Sequence, residues 1–237
     1  IVTALFVLFF YGLLLGEKPK QRKTFSDFWS SYSTVIIMVL MVGVFGILQP
    51  QAFMSVKNLV KIIEQSSITI LLACGEFFAI LLGGIDLSVG STMALSGVVS
   101  SRLLGLGFST WGAMLVGILL LGVVLGAING GLINLTNLHP FIITLGTQSI
   151  FRGLTVILAD SRPVAATGFA QVFGGKLLGV IPIPIVVALL VALALTFFTY
   201  KSKAGRNLYA IGGNKQAAWF AGINVKRHTM LAFIISG

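Results

Sequence analysis

Charge is scarce in this chain. Asp, Glu, Lys and Arg make up 9% of its 237 residues, where ordinary soluble domains carry about 25%. With 57% hydrophobic residues and a mean hydropathy of +1.03, no water-soluble fold could hide the apolar surface. From Leu103 to Phe151 there is no Asp, Glu, Lys or Arg, and as helix that run crosses a hydrocarbon core of ~30 Å more than once. Cysteine is nearly absent: Cys74 alone, within an apolar segment, excludes a disulfide framework and a CxxC metal cluster and reads as a small packing residue. Chemical motifs are missing too. "GGKLLG" at 174–179 lacks the spacing and the Ser/Thr of a phosphate loop, so this chain hydrolyses no ATP by that route. No nucleophile elbow, HExxH pair or His/Asp cluster occurs, and of the two histidines, His139 opens a helix before Pro140 and His228 sits among basic residues. The chain reads as no enzyme, with no metal site and no cofactor of its own.

What is present is a set of apolar spans separated by basic segments. The reading is an all-α, polytopic transmembrane helical bundle with helices near Thr34–Leu48, Ser67–Leu82, Leu87–Leu104, Trp111–Ile133, Phe141–Ala159 and Pro184–Tyr200, and another starting at Thr229. The net charge of +10 follows this topology and does not point to nucleic acid. If Lys18, Lys20, Arg22 and Lys23 face the cytoplasm, six crossings return Lys201, Lys203, Arg206, Lys215, Lys226 and Arg227 to it. Those ten stand against Lys57, Lys61, Arg162 and Lys176 outside, which is the bias the positive-inside rule demands. Arg102 and Arg152, near helix ends, snorkel. Residues 1–33 form an apolar segment, Ile1 to Gly16, plus the basic cytoplasmic loop; residues 34–237 form the membrane domain. The apolar-then-basic order is the reverse of a signal peptide, and the chain, without an initial Met and ending within an apolar run, is expected to be a fragment.

Small and polar residues mark faces within the spans. Gly122, Gly126 and Gly130, each four apart, make a groove for a close helix neighbour. Ser88, Thr92, Ser96 and Ser100 form a hydroxyl stripe, and Thr144, Gln148 and Arg152 form a second on a later helix. Such stripes are either interhelical glue or the lining of a wet path. Glu76, in "ACGEFF", must find a partner, water or a proton if it lies in the membrane. It is either a buried carboxylate that fixes packing or a proton relay. In "LLGGIDLSVGS" the Gly83–Gly84 pair frees the backbone, and Asp86 reads as the N-cap of the next helix, beside protein or a water-filled cavity.

The stretch "YAIGGNKQAAWFAGINVKRH", residues 209 to 228, lies in the cytoplasmic loop. It reads as a glycine turn, an N-cap at Asn214, a short helix through Gln216, Ala217, Ala218, Trp219 and Phe220, and a stop at Gly222. A helix too short to span suggests docking to a partner.

Together with "GIDLSVGS", "LHPFIITLGT" and "FIISG", this loop resembles the permease subunits of bacterial ABC importers for monosaccharides, of the ribose, xylose, galactose and allose class. The resemblance runs from about Pro50 to Gly237. It implies a permease-type transmembrane bundle in the bacterial inner membrane, paired with a second permease copy as a homodimer. Cytoplasmic ABC ATPase subunits using ATP-Mg and an extracytoplasmic sugar-binding protein are the implied partners. Gly213, Asn214, Gln216, Ala217, Ala218, Gly222 and Ile223 match the loop that couples to the ATPase. Glu76, Ser88, Thr92, Thr144, Gln148 and Arg152 are candidates for the translocation path. The competing reading is a proton-coupled secondary sugar transporter working through Glu76.

Overall fold

In a computed structural model the chain is described over residues 25–164, 169, 173–177, 179 and 181–237. The expectations for Ile1 to Lys23 lie outside these residues. The described chain is a helical bundle. Helix α1 (Phe25–Leu48) leads through α2 (Pro50–Phe53) to α3 (Val56–Leu81), followed by α4 (Val89–Gly105). Next comes a long span made of α5 (Thr110–Met114), a π-helical segment (Leu115–Leu120) and α6 (Leu121–Thr136). Helix α7 (Pro140–Leu158) precedes a hairpin of two-residue strands, β1 (Lys176–Leu177) and β2 (Ile181–Pro182). The chain then continues through α8 (Ile183–Lys201), α9 (Lys203–Gly213), α10 (Lys215–Phe220) and α11 (Val225–Ser236).

Five helical spans among the described residues are long and apolar enough to cross a membrane: Phe28–Leu48, Val56–Leu81, Thr110–Thr136, Pro140–Leu158 and Ile183–Lys201. The remaining expected span, Leu87–Leu104, is α4, which has 17 residues, about 25 Å of helix, because it starts inside the bundle after an irregular segment. Helix α3 begins eleven residues before the expected Ser67. Ser55 caps it by accepting from the Asn58 amide, so Lys57 and Lys61 ride on helical turns rather than in a loop. Helix α9 was expected as a loop ending in a glycine turn. It is helical through Gly213, with Ser202 accepting from the Gly205 amide and Gly205, Leu208 and Ile211 buried on one face.

The apolar core is divided into small clusters. Ile70 and Cys74 of α3 pack on Ala188 of α8; Phe78 packs with Leu208 and Ala232, and Ala79 with Ile133 and Phe233. On the other side of the bundle Leu95, Leu125 and Phe151 join α4, α6 and α7. Helices α6 and α11 approach closely along the glycine groove. A Cβ on Gly126 would stand 2.2 Å from the Phe233 carbonyl, and one on Gly122 would stand 2.6 Å from that of Gly237. The groove is a packing seam of the kind helices use in lipid, where small residues let backbones meet. None of the most apolar stretch of α1 is buried, so that helix stays at the edge of the bundle.

Candidate functional site

The interior between the apolar clusters is polar, and it is organised by the segment that breaks the membrane run. Helix α3 ends in a Schellman turn: Gly83 has φ +78°, its amide donates to Ile80, and that of Gly84 donates to Ala79. Gly84 fits because a Cβ there would meet the Pro140 ring at 2.9 Å. The chain then turns back among the helices, and irregular backbone at such a place needs partners for its amides and carbonyls. The Asp86 amide donates to Glu76 Oε1 at 2.9 Å. The Leu87 amide donates to Thr144 Oγ1 at 3.2 Å, while the Thr144 hydroxyl donates to the Ile85 carbonyl at 3.0 Å. Glu76 therefore holds the backbone of this turn. The partner that its sequence position left unnamed is an amide ten residues downstream.

Side chains continue the network. Asp86, 4% exposed, accepts at Oδ1 from both the amide and the hydroxyl of Ser88, at 3.0 and 2.6 Å, and at Oδ2 from the Ser236 hydroxyl at 2.9 Å. Ser88 Oγ in turn accepts from Asn129 Nδ2 at 2.7 Å, and Asn129 Oδ1 accepts from the Thr147 hydroxyl at 2.7 Å. A continuous chain of hydrogen bonds thus joins α11, the turn, α4, α6 and α7. Asp86 binds the Ser88 amide as a cap would, but the helical N-cap of α4 is Ser88 itself. Asp86 lies two residues further out and ties the turn to α11.

The two expected stripes fare differently. Ser88, Thr92, Ser96 and Ser100 are all buried, and Ser100 packs where Gly117 of the π-helical segment leaves room. On α7, Thr144 is buried and Gln148 half-buried, but Arg152 is exposed. The inward face is instead Thr144, Thr147 and Phe151. Residues four apart on an α-helix drift by ~40° per step, whereas alternating steps of three and four hold one face. Arg152 lines a crevice of about 700 Å³ with Ser101 and Arg162. At the neighbouring helix ends Arg102 pairs with Asp160 and donates from Nε to the Leu158 carbonyl at 2.8 Å.

The loop of residues 209–228 is a capped unit. Asn214 caps α10 by accepting from the Ala217 amide at 2.9 Å. Gly222, at φ +80°, ends it in a second Schellman turn, with Ile223 donating to Ala218. Gly213, Gln216 and Ala217 are exposed, Ala218 is buried and Ile223 is half-buried. Trp219 and Phe220 stand out at 64% and 79% exposure. The α3 end, the α6–α7 turn and this loop line one groove, which includes Leu82, Asn137, His139, Lys215 and Lys226.

Residues 58–237 match the family model described as branched-chain amino acid transport system / permease component. The chain belongs to this permease family. Among curated relatives, the D-allose transport system permease protein of Escherichia coli K12 is 48% identical over 220 residues, 92% of this chain and 67% of the relative. The ribose import permease protein of Haemophilus influenzae is 34% identical over 208 residues, 85% of this chain and 64% of the relative. A probable ABC transporter permease protein of Sinorhizobium fredii is 33% identical over 227 residues, 93% and 67%. The permease thus spans about two thirds of the length of these relatives. Their names give no support to the proton-coupled alternative through Glu76. No solved structure matches the permease.

Asn129, Thr147 and Ser236 were missed from sequence. Asn129 did carry a signal, as an amide amid "LGAINGGLINL" in a span without charge. Thr147 and Ser236 carried none beyond being hydroxyls.

Proposed function

We propose that this permease is the transmembrane subunit of an ATP-driven ABC importer in the bacterial inner membrane, forming part of the path for a monosaccharide of the allose or ribose kind. The observation that carries the reading is the 48% identity to the D-allose permease over 92% of the chain. The family description names branched-chain amino acids, but the allose and ribose relatives favour sugar. The permease holds no cofactor. Separate ATPase subunits use ATP-Mg, an extracytoplasmic binding protein delivers the sugar, and a second permease copy completes the pathway as a homodimer.

The coupling role falls to the loop of α10. Its caps at Asn214 and Gly222 fix a short helix whose exposed Trp219 and Phe220 offer apolar surface to a cytoplasmic partner, as helix-in-groove docking requires. The hydroxyls of Ser88, Thr92 and Thr144, with Gln148, flank the path, and Glu76 and Asp86 brace the turn beside it. The test is reconstitution with the cognate ATPase and binding protein in proteoliposomes, followed by uptake of labelled allose and ribose. ATP-dependent uptake that needs all three components is expected. Uptake by the permease alone that a protonophore abolishes would overturn the reading.

A further inference from the structure

The crevice between α4 and α7 carries charge that the transport path does not use. Its volume is about 700 Å³, within the range of small-ligand sites. Met93, Val98 and Val156 give it apolar walls, and Arg152 and Arg162 give it two positive charges, with no Asp or Glu among the described residues that line it. Two successive left-handed residues, Asp160 at φ +52° and Ser161 at φ +54°, close α7 and return the chain so that Arg162 lines the same space as Arg152. Asp160, the acidic residue that follows α7, is held by Arg102. Ser101 and Thr155 of the wall are committed to their own helices, Ser101 donating to the Gly97 carbonyl at 2.9 Å and Thr155 to that of Phe151 at 2.7 Å. Among the described residues no hydrogen bond or ion pair reaches the side chain of Arg152 or Arg162. Arg152 lies on a membrane span, about 9 Å short of its end at Leu158, and a charged group at such a place needs a counter-ion.

We propose that this crevice binds an anionic phospholipid, with its phosphate between Arg152 and Arg162 and its acyl chain along Met93, Val98 and Val156. A guanidinium pairs with phosphate through two parallel hydrogen bonds. The apolar walls suit a hydrocarbon chain, whereas a free phosphate would leave them uncovered. A second copy of the chain, with a net charge of +10, brings more cations than anions and is poorly suited to neutralise the pair. The crevice is remote from the α10 groove, which α7 meets at Pro140, about 18 Å along the helix from Arg152. It opens on the exposed side of α4 and α7, where Met93, Arg152 and Val156 are all exposed, while Ser88, Thr92 and Thr144 are buried. The lipid site therefore holds whichever solute the permease carries.

The experiment places the permease in bilayer nanodiscs of equal parts phosphatidylglycerol and phosphatidylcholine. A photoreactive diazirine is carried on the acyl chain of one lipid or the other, and labelled peptides are mapped by mass spectrometry. The readout is the ratio of phosphatidylglycerol to phosphatidylcholine labelling at Met93, Val98 and Val156. In the wild type it is expected to exceed the ratio on the exposed α1, and Arg152→Gln and Arg162→Gln are each expected to lower it about fivefold. Lys57→Gln, which removes an exposed charge from α3, is expected to leave it unchanged. Equal labelling by the two lipids in the wild type, or the same fall in Lys57→Gln, would overturn the proposal. Inorganic phosphate added at constant ionic strength is expected not to displace the lipid; displacement would give the crevice to a soluble anion and overturn it. Loss of labelling in nanodiscs that hold two copies would give the crevice to a second copy and overturn it equally. If Arg152→Gln inserts poorly, Arg162→Gln, beyond the end of α7, is read in its place, and an unchanged ratio there refutes the site.

Discussion

Gly126→Ala tests the close approach of α6 and α11 most directly. The added Cβ would lie 2.9 Å from the Ile234 Cα and 2.2 Å from the Phe233 carbonyl oxygen, the latter more than 1 Å inside the ~3.5 Å optimum for non-bonded heavy atoms. Both near atoms are backbone, so no side chain can swing aside and α11 itself must retreat. Overpacking of this kind costs about 1–3 kcal/mol, offset by the ~1 kcal/mol by which Ala exceeds Gly as a helix former. The net runs from about zero to a loss of about 2 kcal/mol. Gly146→Ala on α7 is the matched control, because nothing lies within 4 Å of its Cβ position and only the propensity gain of ~1 kcal/mol applies. The two variants should therefore differ by about 1–3 kcal/mol, roughly fivefold to a hundredfold in the folding equilibrium at 1.4 kcal/mol per decade. Unfolding in mixed micelles, followed by helical circular dichroism, measures it on the permease without any partner. If Gly126→Ala is as stable as Gly146→Ala, the seam is not the tight contact described.

Four further outcomes are expected. A double-mutant cycle of Asn129→Leu and Thr147→Val in the same unfolding assay should give a coupling of about 0.6 kcal/mol and at most ~1.7 kcal/mol; a coupling of zero would deny their hydrogen bond. Asp86→Leu leaves the Ser88 amide and the hydroxyls of Ser88 and Ser236 without their acceptor and should reduce membrane assembly sharply, whereas Asp86→Asn should not; equal yields would refute the bracing role. Gly222→Val forces a β-branched residue to φ +80°, a strain of about 1–2 kcal/mol, and should lower ATPase co-purification while leaving membrane insertion intact. Arg102→Ala breaks an ion pair whose side chains are 49% and 71% exposed and should cost less than ~1 kcal/mol in micelle unfolding; a larger loss would mean that the pair clamps α4 to α7.

Features that depend on local chemistry were legible in the sequence. The glycine groove of α6, the Asn214 cap, the Gly222 stop and the packing role of Cys74 follow from residues close together in the chain, and the structure has each. The spans were legible from hydropathy, although the start of α3 was not, because its first turns carry Lys57, Lys61 and Glu64 outside the apolar run. Closure of the polar network was not legible. It depends on how far each helix is rotated, and a stripe written as every fourth residue pointed to Arg152 where the helix turns Thr147 and Phe151 inward. Helix α9 escaped for the opposite reason. Its Gly212 and Gly213 look like a turn, yet Gly212 is small because a Cβ there would sit 2.1 Å from the Leu81 carbonyl.

The bond between Ser236 and Asp86 spans 150 residues of chain, and that separation governs how the protein is made. At about 5–20 residues per second, synthesis leaves Asp86 waiting roughly 8–30 s for its partner. Asn129, which steadies Ser88, emerges 41 residues after it, and Thr147 later still. The backbone of the turn finds partners early, in Glu76 and then Thr144. One oxygen of the Asp86 carboxylate has none until α11 arrives, and a carboxylate that lacks its partner cannot enter lipid without cost. Ser236 thus completes the burial of Asp86, which makes α11 a checkpoint for the hairpin of α3 and α4.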